Sequence, residues 1–238
     1  FNNITTESSS KGEDLYGGSW SSESYTTTLT YSLGGTSSSG KPVYVYDYSI
    51  TDRDGTVTAK LFNGITPIGD INGSIYLDRD IHIVSTGTDI FGNVTTTNTY
   101  TKYFLQKGKL VTDQAISTTE SQDVLGNSTI STSTTSYTYE ITTLNGAKVF
   151  IFNNITTESS SKGEDLYGGS WKPKTENDKL VITQTYSLGG YKDGKQVYTY
   201  LYKIKDSISE VTVPLFIGIT PIAGRISLPR DIVIKTNG

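Results

Sequence analysis

Val43-Tyr44-Val45-Tyr46-Asp47-Tyr48-Ser49-Ile50 alternates two sets of side chains without a break. A period of two belongs to a β-strand, whose successive side chains leave opposite faces. Three tyrosines fall on one of those faces. The stretch returns as Val197-Tyr198-Thr199-Tyr200-Leu201-Tyr202-Lys203-Ile204, which keeps the tyrosines and changes most of the residues between them. The reading predicts that the tyrosine face packs, with phenol hydroxyls reaching its rim.

The correspondence extends in both directions from this strand. Thr30–Gly35 (TYSLGG) recurs at Thr185–Gly190, Leu61–Ile68 (LFNGITPI) at Leu215–Ile222, and Leu77–Ile83 (LDRDIHI) at Leu228–Ile234. At the head, FNNITTESSSKGEDLYGGSW runs from Phe1 to Trp20 and again, unchanged, from Phe152 to Trp171. Residues 85–151 occur once. The expected plan is A–B–A′: a β unit over 1–84, a hairpin segment over 85–151 shared with or joined to the following unit, and a second β unit over 152–238.

Helical periodicity is nearly absent, and alternation recurs throughout. Further strands are expected at Tyr25–Leu33, Thr56–Phe62, Ile75–Ser85, Val94–Gln106, Leu110–Ser117, Ser128–Thr143, Ala147–Thr156, Lys179–Leu188, Glu210–Phe216 and Ile226–Lys235. Gly-bearing turns such as Lys107-Gly108-Lys109 and Lys192-Asp193-Gly194 punctuate them. The fold class is all-β: two related antiparallel β-sandwich or curved-sheet units from an internal duplication. Within the identical block, the Ser-rich and charged stretch 7–18 reads as a loop, with Tyr16 and Trp20 folding back as anchors. Recent duplication and a partner met twice both explain the identity.

Composition narrows the class. A net charge of −4 on 238 residues gives no electrostatic footprint for nucleic acid. No apolar run approaches the roughly 20 residues of a transmembrane segment. Cys is absent, which removes disulfides and thiolate metal sites. Ser and Thr make up about a quarter of the chain, above ordinary usage. This bias suits an exported protein, and a chain without an initial Met reads as a processed product or a fragment.

Catalytic chemistry is hard to find. The one His, His82, has Val233 as its counterpart, so a role shared by both copies does not use it. Asp78 and Asp80 lie on one face, but Pro229 replaces the first in the second copy, and Arg79–Asp80 and Arg230–Asp231 read as strand-edge ion pairs. The reading is of a protein that is not an enzyme. Asp52-Arg53-Asp54-Gly55 has the outline of a short calcium loop, with Asp52 and Asp54 as candidate ligands and no other cofactor expected. Asp89–Asn93 (DIFGN) and Asp123–Asn127 (DVLGN) read as Asp-initiated turns. Asn-x-Ser/Thr sequons stand at Asn3, Asn72, Asn93, Asn127 and Asn154, the candidate glycosylation sites.

The expectation is an extracellular or cell-surface structural protein, a subunit of a filament, pilus-like or surface-layer assembly that polymerises by β-strand complementation. Its partners would be copies of itself and surface glycans. One B segment serves two A units, which leaves one unit with an open edge at Phe1, Asn2, Asn3, Ile4, Thr5 and Thr6. The alternative is a periplasmic or lipoprotein-like module that binds an apolar or carbohydrate ligand.

Overall fold

A computed structural model describes residues 2–69, 74–144 and 147–238, with Leu144 described for its backbone alone. Phe1, the sequon at Asn72 and the turn residues Asn145 and Gly146 lie outside the described residues. The protein is all-β. Every regular element among the described residues is a strand, and the pairings are antiparallel. Two compact units divide the chain, Phe1–Val124 and Leu125–Gly238. The boundary falls inside the segment 85–151 that the sequence sets apart.

Unit 1 contains β1 (Asn3–Ser8), β2 (Lys11–Glu13), β3 (Ser19–Ser22), β4 (Tyr25–Thr36), β5 (Pro42–Asp52), β6 (Gly55–Lys60), β7 (Phe62–Asn63), β8 (Thr66–Pro67), β9 (Ile75–Tyr76), β10 (Ile81–Thr88), β11 (Val94–Gln106) and β12 (Lys109–Gln122). One sheet has the order β1-β4-β5-β6. A second has the order β12-β11-β10-β3-β2, with β9 on β11. Two small core clusters hold these sheets together. Ile50, Val57 and Ile81 form one, against Tyr48, Tyr103 and Leu110. Ala59, Leu61 and Leu105 form the other, against Tyr46 and Phe62. Leu61 and Leu105 are the largest fully buried side chains.

Unit 2 contains β13 (Ser128–Leu144), β14 (Ala147–Glu164), β15 (Ser170–Pro173), β16 (Leu180–Lys192), β17 (Lys195–Lys205), β18 (Glu210–Pro214), β19 (Phe216–Ile217), β20 (Thr220–Pro221) and β21 (Thr236–Asn237). The sheet order is β18-β17-β16-β14-β13, with β15 between β14 and β21. Registers recur between the units. Asn3 faces Thr30 as Asn154 faces Thr185, and Tyr31 faces Tyr46 as Tyr186 faces Tyr200. The rings Tyr31–Tyr46–Phe62 stand 5.6 and 5.2 Å apart, and Tyr186–Tyr200–Phe216 5.5 and 5.4 Å.

Three expectations need correction. The stretch 7–18 is not all loop. Lys11–Glu13 is a strand in unit 1, and in unit 2 the same residues extend β14 to Glu164. Serine carries a strand here because its hydroxyl finds partners across the ladder, as in Ser159 to Ser133 at 3.4 Å. Tyr16 is exposed and anchors nothing, whereas Trp20 does fold back, over Gly12. The expected strand Ile226–Lys235 does not form, and its chain pairs only at Thr236–Asn237. In unit 1 the equivalent β10 is zipped to β11 along its whole length. Within unit 2 no strand plays the part of β11 among the described residues.

The tyrosine face packs only in part. Tyr46 and Tyr48 lie against the core, but Tyr44 is 69% exposed and Val45, on the opposite face, only 9%. The cause is a β-bulge between Leu33 and Gly35. A Cβ on Gly34 would come within 2.5 Å of the Val45 side chain, so only glycine lets Val45 tuck beneath this strand. Gly189 and Thr199 repeat the arrangement at 2.5 Å.

Candidate functional site

Identical residues meet different surroundings in the two units. In unit 2, Asn154–Ser159 is bonded on both sides, to β13 through Thr138–Ser133 and to β16 through Thr185–Leu180. In unit 1, the same sequence as β1 pairs, among the described residues, with β4 alone and ends its sheet. Asn3–Glu7 is exposed throughout, whereas of the corresponding Asn154–Glu158 only Glu158 is.

The outer edge of β1 has a definite polarity. Tyr31 N–H donates to the Asn2 carbonyl at 2.8 Å. Antiparallel ladders alternate bonded and non-bonded pairs, so Asn2, Ile4 and Thr6 turn their backbone groups to β4. Asn3, Thr5 and Glu7 turn theirs outward. Unit 2 agrees, since Asn154 N–H donates to Thr138 Oγ1 of β13 at 3.0 Å. The candidate edge residues Asn2, Asn3, Ile4, Thr5 and Thr6 thus lie together as a row open to strand addition.

The chain between β1 and β2 also differs. In unit 1 the strand breaks at Ser9–Ser10, where Ser22 Oγ accepts from Ser10 N–H at 2.9 Å, and β2 enters the other sheet. In unit 2 the same serines lie within β14, which β13 accompanies from Ala147 to Glu164.

A buried lock stands in each unit. Asp52 accepts two 2.7 Å hydrogen bonds from the Arg79 guanidinium, one from His82 N–H at 2.7 Å and one from Asp54 N–H at 2.9 Å. Asp206 receives Arg230 at 2.6 and 2.9 Å, with Val233 N–H at 2.8 Å. Burial works to raise the Asp52 pKa, and the Arg79 and backbone hydrogen bonds outweigh it, holding the carboxyl below its ordinary range. The Arg230 hydrogen bonds hold Asp206 far below that range against its burial.

This lock corrects one expectation. Arg79 and Arg230 pair with Asp52 and Asp206, and reach only the backbone carbonyls of Asp80 and Asp231. The candidate calcium ligands Asp52 and Asp54 both have partners within the protein. A guanidinium fills the place a cation would need beside Asp52, and Asp54 Oδ2 lies 2.9 Å from His82 Nδ1. His82 is a buried structural node, with Nε2 3.1 Å from Asn98 Oδ1 and its ring stacked 4.0 Å from Tyr100. No group of three or more His, Cys, Asp or Glu able to hold a metal occurs among the described residues.

The sequons divide by engagement. Asn3 is exposed on the open edge. Asn93 donates to Asp89 Oδ2 at 2.6 Å and accepts from Val124 N–H at 3.1 Å. Asn127 accepts from Leu166 N–H at 3.0 Å, and Asn154 from Thr185 Oγ1 at 2.8 Å. Geometry therefore leaves Asn3 the most accessible of the described four.

Sequence reasoning missed the tips of the Asp-initiated turns. Asp14, Asp89 and Asp165 each accept two backbone N–H groups through Oδ1, and Gly17, Gly92 and Gly168 close the turns at φ of +98°, +84° and +86°. The two residues after each Asp are apolar and exposed: Leu15-Tyr16 and Ile90-Phe91 in unit 1, Leu166-Tyr167 in unit 2. The motif D-[LI]-[YF]-G was legible, but its exposure was not.

Two equivalent shallow troughs flank the hairpins built from the identical block, of about 510 and 400 Å³. Lys11, Glu13, Ser19 and Ser21 line one, and Lys162, Glu164, Ser170 and Lys172 the other. Trp20 and Trp171 line the same troughs.

Among the described residues no helix is long and apolar enough to cross a membrane. No family model, no curated protein and no solved structure matches the chain.

Proposed function

We propose that this chain is a structural subunit of an extracellular surface assembly, joined to its neighbours by β-strand addition at the outer edge of β1. One observation carries the reading: residues that are bonded on both sides in unit 2 are bonded on one side in unit 1. An exposed edge of backbone N–H and C=O groups is a template for another strand. Of the features that blunt an edge, β1 carries only the single charge of Glu7. The stretch Asn3–Ser8 has no proline, no lysine and no bulge. Contact between unlike surfaces propagates head to tail and builds filaments. The Ser/Thr-rich strands and the accessible sequon at Asn3 suit a surface location, where glycans would be further partners.

Thr5→Pro tests the proposal. Proline at this position removes an outward N–H and leaves the backbone bonds to β4 intact, losing only the exposed contact of Thr5 Oγ1 with Thr28 Oγ1 at 3.3 Å. The wild-type chain is expected to grow in light scattering with concentration and to show filaments in negative stain. Thr5→Pro is expected to stay monomeric with an unchanged circular dichroism spectrum. A wild-type chain that stays monomeric at the highest attainable concentration overturns the reading.

A second reading, a binding module for a carbohydrate or apolar ligand, is favoured by the paired polar troughs at Lys11–Glu13 and Lys162–Glu164. Their openness and polarity suit a sugar better than an apolar ligand. Glycan-array binding lost in both Glu13→Ala and Glu164→Ala would support it.

A further inference from the structure

We infer that the strand received by β1 is one of the β13 type, a Ser/Thr strand that runs into Tyr-x-Tyr and docks in the register β13 uses on β14. This rests on the reading of β1 as an assembly edge and adds the identity of its partner. The receiving residues are the same in both places, so the chemistry that β13 recognises on β14 is present on β1. Residues of the two copies differ by 151, as Phe152 and Phe1 do. The β13–β14 register then places Thr138 opposite Asn3, Tyr137 opposite Ile4, Ser136 opposite Thr5, Thr135 opposite Thr6, Thr134 opposite Glu7 and Ser133 opposite Ser8.

Two further differences between the units have this strand as their common cause. The first is the break at Ser9–Ser10. An identical sequence is broken in unit 1 and continuous in unit 2, so its partners decide its conformation, and β13 is the partner that spans the continuous form. The second is Tyr44. Its counterpart Tyr198 is half-buried, and burial together with the charge of Glu140 on β13 pushes its phenol pKa up, whereas Tyr44 is exposed. A β13-type strand on β1 would straighten the chain through Ser9–Ser10 and cover Tyr44.

The hydroxyl ladder gives the pairing specificity. Thr157 Oγ1 meets Thr135 Oγ1 at 3.0 Å, and Asn154 N–H meets Thr138 Oγ1 at 3.0 Å. On β1 the same contacts fall to Thr6 and Asn3. A strand lacking hydroxyls at those positions would keep the backbone bonds and lose the side-chain ones.

The test is a fusion of a second copy of residues 128–151 directly before Phe1, which recreates the connection that β13 has to β14. The fused chain is expected to fill its own edge. The amides of Asn3, Thr5, Glu7 and Ser9 should exchange about tenfold or more slowly by hydrogen–deuterium mass spectrometry, and assembly should stop. A fusion with the same residues in scrambled order should leave both unchanged. If the wild-type chain assembles but the native fusion neither protects these amides nor stops assembly, the donor identity is overturned and the assembly reading stands. If the fusion protects the amides while the wild-type chain never assembles, the donor identity stands and the assembly reading fails. Equal protection by native and scrambled fusions overturns the specificity claimed for β13.

Discussion

Asp52 and Asp206 do at single residues what the small cores cannot do alone. Each side chain gathers an arginine and backbone N–H groups from a separate stretch of chain, and so ties the turn after β5 or β17 to a segment 24 or more residues further on. Removing the arginine leaves a buried carboxylate without its counter-charge, which is costly. Arg79→Met is expected to destabilise unit 1 by about 2–3 kcal/mol in urea unfolding, below the full range for buried pairs because the guanidinium is part-exposed. Acid acts on the same groups. Both carboxyls have folded pKa values below their ordinary value near 3.8, so their stabilisation is present above that pH and lost as pH falls through the folded value. Asp206→Asn should therefore be less stable than wild type at pH 7, with the gap closing below about pH 4. A gap that does not narrow between pH 4 and pH 2 would count against the lock. The lock was half legible. Arg-Asp recurs in both copies, but sequence proximity pointed to Asp80 and Asp231, because nothing in the chain reveals that a strand start faces a distant hairpin turn.

Strand reading succeeded at Val94–Gln106 and at the Ser/Thr-rich Ser128–Thr143, and failed within 7–18 and at Ile226–Lys235. Val94–Gln106 was placed to the residue because β-branched and aromatic residues fill it. Lys11–Glu13 was missed because its partners are other hydroxyl-bearing strands and a tryptophan, which no local pattern announces. At Gly12 a Cβ would come within 2.6 Å of the Trp20 indole nitrogen, and at Gly163 within 2.7 Å of that of Trp171. Gly12→Ala should displace the indole and cost about 1–3 kcal/mol, seen as a lowered urea midpoint. No loss in Gly12→Ala would mean that the indole moves freely and holds nothing. The bulges at Gly34 and Gly189 obey the same logic. The repeated TYSLGG was visible in the sequence, but the side chains tucked beneath it were not.

For the whole molecule, the all-β class followed from the absence of helical periodicity, and the recurring registers followed from the repeat. The open edge was argued from counting one B segment against two A units, and the structure places Asn3–Ser8 at the end of a sheet. The division at Val124 was not legible, because the turn there is chemically like its neighbours. The two tryptophans have a use beyond packing. The chain has only two, and each unit holds one, on equivalent strands over equivalent glycines. Each unit thus carries its own intrinsic fluorophore. Trp171→Phe leaves tryptophan emission from unit 1 alone, and Trp20→Phe leaves it from unit 2 alone. Both core clusters, and both of the largest fully buried side chains, belong to unit 1. In denaturant, the emission of Trp171 is expected to shift at a lower concentration than that of Trp20. Superimposable curves would instead mean that the two units melt as one.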